Sequence, residues 1–428
     1  MKRLILFVKH HPLICLGAII HVLFYISAWQ TKWFNYFFSG SPLHLCCRGL
    51  DFYQVPNGAY AFLHGGSLDG TLAAGGQIFG VGFPTQPNVY HPIFTLLLGG
   101  FLILFTPYAS FYVWMLMKLL ITVVVLFYFY RRFKGSKYLD LALFLTLISS
   151  TQYLEIEISQ FQFALNIFLF IMLMNFVEHG DSVWNGVCYF GTLLVKPIGF
   201  LWIPVLFFKQ QYKTLLIGLG LFVLTTGLFM INHVGDYFVN NLVAHFLYPY
   251  QSGPIQIITL DALLRYTFKP PEIVLSALKI SFFGLVVFLS AFKKIHLVTG
   301  LYLSVAYYLL FYDFVFEYHY TTLIPILAVG LVTRPEFQTL PARICIFWFS
   351  LPNVFFILHY FHFAVVFDPF LGPDPTPLGW QLIVLSRVLP VLFLTGVIVH
   401  MYAQPIYLDV KALVGAFKKM NKELEIFG

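Results

Sequence analysis

From Pro12 to Trp33 the chain runs apolar for about the ~20 residues a helix needs to cross a bilayer, and runs of this kind recur almost to its end. Backbone amides cannot be left unpaired in hydrocarbon, so a chain built this way has few options besides a helical bundle. Only 10% of the 428 residues are charged, against roughly 25% in soluble domains. The sequence therefore predicts an all-α, polytopic membrane protein forming a single integral-membrane domain over 1–428. The 50 Phe and 26 Tyr suit lipid-facing helices and interfacial belts. Met1 to Ala28 has too long an apolar run for a cleaved signal and no small-residue cleavage site, so it reads as a retained first span.

The net charge of +7 does not imply a nucleic-acid partner, because the basic residues fall in short clusters between apolar runs. Lys2, Arg3 and Lys9 precede the first run, which places the N-terminus in the cytoplasm. The segment Asn35 to Tyr90 is then outside, predicted as short juxtamembrane helices on the membrane surface. His91 to Pro107 is short and apolar and reads as re-entrant. This keeps Arg131, Arg132, Lys134 and Lys137 inside, after a second span over Ala109–Tyr130. Further spans are expected at Tyr138–Tyr153, Phe161–Val177, Val183–Val195, Ile198–Phe208, Thr214–Ile231, Ile273–Phe292, Leu297–Tyr312, Thr321–Val332, Ile344–Tyr360 and Gln381–Tyr402. That makes about twelve crossings. The tail 404–428, with Lys411, Lys418, Lys419 and Lys422, reads as amphipathic and cytoplasmic. The five cysteines have no metal-ligand spacing.

This topology puts the isolated polar residues on one side. Asp51 lies in the first outer loop. Glu155, Glu157, Gln160 and Gln162 fall at one outer turn. Lys196 falls at the break before Pro197, and Asp313, Glu317 and His319 at a late outer turn. A carboxylate at a membrane boundary is expensive unless paired or facing a watery cavity. Plainer readings exist. Asp51 would cap a short helix and pair with Arg48, Glu155 and Glu157 would be solvated turn residues, Lys196 would snorkel to the interface, and His319 would be an interfacial histidine. If the turns converge, Asp, Lys and His suit transfer chemistry on a phosphorylated lipid. The carboxylate takes a proton from a hydroxyl, the lysine holds phosphate, and the histidine orients a phosphate oxygen. No phosphate-cradling Gly-rich loop, His-Glu-x-x-His or Gly-x-Ser-x-Gly is present.

At these residues the chain resembles the GT-C superfamily of integral-membrane glycosyltransferases. Within it the likeness is to glycosyltransferase family 87, the polyprenyl-phosphate-mannose-dependent mannosyltransferases. Asp51-Phe52-Tyr53-Gln54-Val55, with Ala59 and Gly65-Gly66, resembles the family's opening motif. Tyr90-His91-Pro92-Ile93-Phe94 resembles its Tyr-x-Pro-Pro stretch, Ser159-Gln160-Phe161-Gln162 its Gly-Gln-x-Asn turn, Lys196-Pro197 its Lys-Pro element, and His319-Tyr320 its late His turn. Pro56, Ser159 and Gln162 depart from the family pattern and bear on the identity of sugar and acceptor. The resemblance implies a GT-C-like bundle in the cell membrane with its site on the extracytoplasmic face. It implies inverting, metal-independent transfer of a hexose, mannose first, from a polyprenyl-phosphate sugar to a lipid or glycan acceptor, with no cofactor. Asp51 would be the base, and Lys196, His319, Gln160, Tyr53, His91 and Glu317 would contact donor or acceptor. A transporter or flippase for a lipid-linked or anionic substrate is the competing reading, since half-helices broken at Lys196-Pro197 are also a transporter feature. A non-catalytic assembly subunit is a third.

Overall fold

The computed structural model describes residues 7–31, 49, 51–71, 79–80, 87–158, 161–247, 258–312, 315–352 and 377–427. Helices dominate these residues, and no strand occurs among them. Six helices are long and apolar enough to cross a membrane: Pro12–Trp29, Pro107–Phe133, Gln162–His179, Tyr212–Met230, Glu272–Ala291 and Gln381–Ala412. Several are apolar on their exposed faces as well. Tyr212–Met230 presents Leu216, Val223, Leu224 and Leu228 outward, and Glu272–Ala291 presents Ile273, Val274 and Ile280. A helix apolar all round is at home in lipid and not in water. The chain is an all-α membrane protein.

Shorter apolar helices complete the bundle: Pro92–Leu102, Leu139–Ile148, Val183–Val195, Pro197–Phe208, Leu297–Phe311 and Leu340–Ser350. Leu297–Phe311 is its axis, with every residue but Tyr307 buried. Its polar groups are satisfied by neighbours. Ser304 Oγ donates to the Leu201 carbonyl at 2.8 Å, and the Tyr302 hydroxyl to that of Val391 at 3.0 Å. Val183–Val195 packs between Gln162–His179 and Tyr212–Met230. A small residue permits the second approach, since a Cβ on Gly218 would sit 2.4 Å from the Tyr189 ring. Close packing over small residues is what joins helices where lipid removes the hydrophobic drive.

Two expectations are revised. The helix after Arg131-Arg132 is shorter than Tyr138–Tyr153. It ends at Ile148, where Ser149 turns to ψ 114°, and a second helix, Thr151–Ile158, begins. The Gln54–Leu63 helix, in the segment expected to lie on the membrane surface, is instead packed among other helices. Gln54 to Ala59 and Ala61 are all buried, and the helix lies against Thr95–Gly99. There a Cβ on Gly99 would come within 2.6 Å of the Val55 carbonyl. The 404–428 tail continues the preceding span as one helix, Pro377–Phe427, running through Pro390 and Pro405. Lys294 ties it to the bundle, pairing with Asp409 at 2.7 Å and donating to the Pro405 carbonyl at 3.3 Å. The Ile344–Tyr360 span begins within Leu340–Ser350, and its last part, 353–360, lies outside the described residues.

Candidate functional site

Lys196 precedes a proline, and that step shapes its position. The proline ring disfavours helical backbone in the residue before it. Accordingly the helix ends at Val195, Lys196 is extended (φ −152°, ψ 146°), and a 3₁₀ segment starts at Pro197. The side chain crosses to the 3₁₀ turn Glu317–Thr322. Its Nζ lies 2.7 Å from His319 Nε2 and 4.8 Å from the centre of the Tyr318 ring. A snorkelling lysine would extend toward headgroups; this one is engaged by another element.

The His319 turn is fixed from two sides. Gln162 Nε2 donates to Thr322 Oγ1 at 2.6 Å, and Asn166 Nδ2 to Thr321 Oγ1 at 2.8 Å, which binds it to the start of the Gln162–His179 helix. On the other side Glu317 pairs with Arg387 of the long C-terminal helix at 2.5 Å. Arg387 also donates to the carbonyls of Phe349 and Leu351 and to Ser150 Oγ. His319 itself accepts the Phe316 amide on Nδ1 at 2.8 Å, which directs Nε2 to Lys196.

Asp51 is 9% exposed. It is not the cap of the following helix, whose N-cap position is Tyr53, with no side-chain cap bond. Gln54 Nε2 donates to Asp51 Oδ1 at 3.2 Å. Next to it, Phe52 stacks on Phe161 with centroids 6.1 Å apart, which carries the first loop onto the Gln162–His179 helix. The Asp51 carboxylate lies within electrostatic range of both Lys196 and Tyr90. Charges removed from water interact far more strongly than exposed ones. Asp51, Lys196 and His319, drawn from three remote stretches, therefore form one neighbourhood.

The other expected residues divide. Tyr53 is buried beside Asp51, but its hydroxyl donates to the Pro107 carbonyl at 3.0 Å, a bracing contact. His91 precedes Pro92 and caps that helix, accepting the Ile93 amide on Nδ1, so its Nε2–H faces Thr226 Oγ1 at 3.1 Å. Its amide donates to the Leu194 carbonyl at 3.2 Å, two residues before Lys196. His91 thus braces the lysine's helix. Glu317 is committed to Arg387. Gln160 and Asp313, like Arg48, lie outside the described residues. In the 64–71 loop, burial raises the Asp69 carboxyl, but hydrogen bonds from Ser67 and Thr71 outweigh it and hold the group below its ordinary value. Among the described residues no three His, Cys, Asp or Glu side chains gather as a metal site would require.

One feature was misread from sequence. Glu155, expected as a solvated turn residue, is buried and pairs at 2.8 Å with Lys118 from the middle of the Pro107–Phe133 helix. Lys118 also donates to the Glu155 backbone carbonyl at 3.2 Å, and Glu155 Oε1 accepts the Phe163 amide. Glu155 is also within electrostatic range of Lys196. The available signal was Lys118 itself, since an ionisable residue inside an apolar run needs a partner. Breaking a buried pair by removing one member costs about 3–5 kcal/mol, whereas replacing both by apolar groups is often neutral. Lys118→Met is therefore expected to lower thermal stability in detergent sharply, and Lys118→Met with Glu155→Leu to recover most of it. Equal melting temperatures for Lys118→Met and wild type would show that the pair is not a structural tie.

Comparison with protein-family models gives no match for this chain, and comparison with curated proteins gives none either.

Proposed function

We propose that the chain is a membrane glycosyltransferase that moves a hexose, mannose first, from a polyprenyl-phosphate-linked donor to a lipid or glycan acceptor. The observation that carries this reading is the direct contact of Lys196 with His319, with the Asp51 carboxylate in electrostatic range of the lysine. Lys196 and His319 are the two groups that hold the donor phosphate, and Asp51 takes the proton from the acceptor hydroxyl. A single carboxylate suffices when the anomeric carbon inverts, because no covalent sugar intermediate forms. The GT-C resemblance agrees with this division of roles. With the short apolar helices included the reading takes about twelve crossings, and the clustering of basic residues between apolar runs puts both chain ends in the cytoplasm and the site on the extracytoplasmic face. A labelling experiment checks the orientation. A cysteine at Ser136 in intact cells is expected to resist membrane-impermeant thiol reagents added outside, and ready labelling would invert the topology.

One observation favours a transporter instead. The Lys118–Glu155 pair is an ionisable couple inside apolar helices, a frequent mark of an ion or substrate path. Proteoliposomes separate the readings. With labelled polyprenyl-phosphate hexose and a membrane-lipid acceptor, the transferase releases polyprenyl phosphate and labels the acceptor. A flippase leaves the donor intact and moves it between leaflets.

A further inference from the structure

We infer that the Lys196–His319 pair takes up a phosphodiester anion together with a proton, so that ligand binding at this site is linked to pH. The inference rests on the reading of this pair as a phosphate site and adds its proton inventory.

The geometry sets that inventory. A histidine ring nitrogen either carries hydrogen and donates or lacks it and accepts. His319 Nδ1 accepts the Phe316 amide at 2.8 Å, so it carries no hydrogen. That excludes the imidazolium and leaves the hydrogen of the neutral ring on Nε2. Nε2 faces Lys196 Nζ at 2.7 Å, so Nζ must accept. An ammonium has three donors and no lone pair, and only the neutral amine can occupy this position. Without ligand the pair therefore holds one proton fewer than a lysinium beside a neutral histidine.

The surroundings show why a ligand would change this. Asp51 and Glu155, the latter paired with Lys118, lie within electrostatic range of Lys196, and the rings of Tyr318 and Tyr308 lie beside the pair. Glu317 on the histidine's own turn is already paired with Arg387. A phosphodiester entering alone would bring an uncompensated negative charge into a partly desolvated site, which is costly. Entering with a proton on Lys196 it is compensated. The new ammonium can no longer accept from Nε2–H, so both nitrogens become donors to phosphate oxygens. The ligand gains two charge-favoured hydrogen bonds in place of the contact between the two side chains.

The test is calorimetry on the full-length protein in detergent, titrated with farnesyl methyl phosphate. This diester has one charge and no titration near neutrality. Each measurement is made in two buffers of different ionisation enthalpy. Wild type is expected to take up about one proton per ligand, and the Kd to rise about tenfold per pH unit where uptake is complete, as linkage requires. Lys196→Arg keeps a permanent cation, so it is expected to bind with no uptake. If that variant does not fold, His319→Leu serves, because it leaves no N–H facing Lys196 and so no demand for a neutral amine, and its uptake is likewise expected to vanish. Wild-type binding with the same heat in both buffers overturns the proton linkage while the phosphate site stands. Undiminished uptake in Lys196→Arg or His319→Leu overturns its assignment to this pair. No binding by wild type overturns the linkage and the phosphate reading together.

Discussion

Asp51→Asn is expected to lower glycosyl transfer by about 10²–10⁴-fold, the usual contribution of a general base, while the protein still folds and binds donor. Asparagine keeps the shape of the side chain and can still meet Gln54, whose Nε2 donates to Asp51 in the native chain. It cannot accept the acceptor's proton. Donor affinity should hold or rise, because a negative charge near the anion-binding lysine is removed. A capping role would give the opposite result, as Asn and Asp are near-equal caps. The structure already places Tyr53, not Asp51, at the N-cap. Asp51→Glu retains a base but moves it by one methylene, and should restore only part of the rate. Parallel measurement of donor Kd and single-turnover transfer separates chemistry from binding. Near-normal transfer by Asp51→Asn would remove the base from the mechanism.

Lys196→Ala acts on the other side of the reaction. Loss of a charged hydrogen bond is worth about 1.5–3 kcal/mol, so donor affinity should fall roughly 10–100-fold. Lys196→Arg should recover part of this, since it keeps a cation with a different shape. Folding should survive, because the extended backbone at this position comes from Pro197 and not from the lysine side chain. The contacts of the lysine with the Tyr318 ring and with His319 would both be lost. Unchanged donor affinity would mean that the lysine only ties its helix to the His319 turn and does not hold the ligand.

The membrane class was legible because long apolar runs leave a chain no other fold. Val183–Val195 was legible to the residue, since Lys196-Pro197 dictates its end and Ser182 caps its start. The gathering of Asp51, Lys196 and His319 was only a conjecture at that level, because turns assigned to one side of a bundle need not meet; the contact between Lys196 and His319 is a product of tertiary packing. What could not be read was how the first loop packs. The Gln54–Leu63 helix has an amphipathic look, but its neighbour, Thr95–Gly99, is set by tertiary contact. Glu155 looked solvated because the partner that buries it is 37 positions away on another helix. Pairing across helices leaves no local pattern. Likewise Arg387 showed as a lone cation in a span, while its partners, Glu317, Phe349, Leu351 and Ser150, come from three other segments.

The most direct test of the central claim is a transfer assay with the purified chain in lipid nanodiscs. Polyprenyl phosphates carrying radiolabelled mannose, glucose or another hexose are each offered with a membrane-lipid extract as acceptor. Label is expected to pass from one of these donors, mannose first, to a new glycolipid of inverted anomeric configuration, with release of one polyprenyl phosphate per sugar moved. Label that stays on the polyprenyl phosphate for every hexose, in a preparation shown to be folded, would contradict the claim.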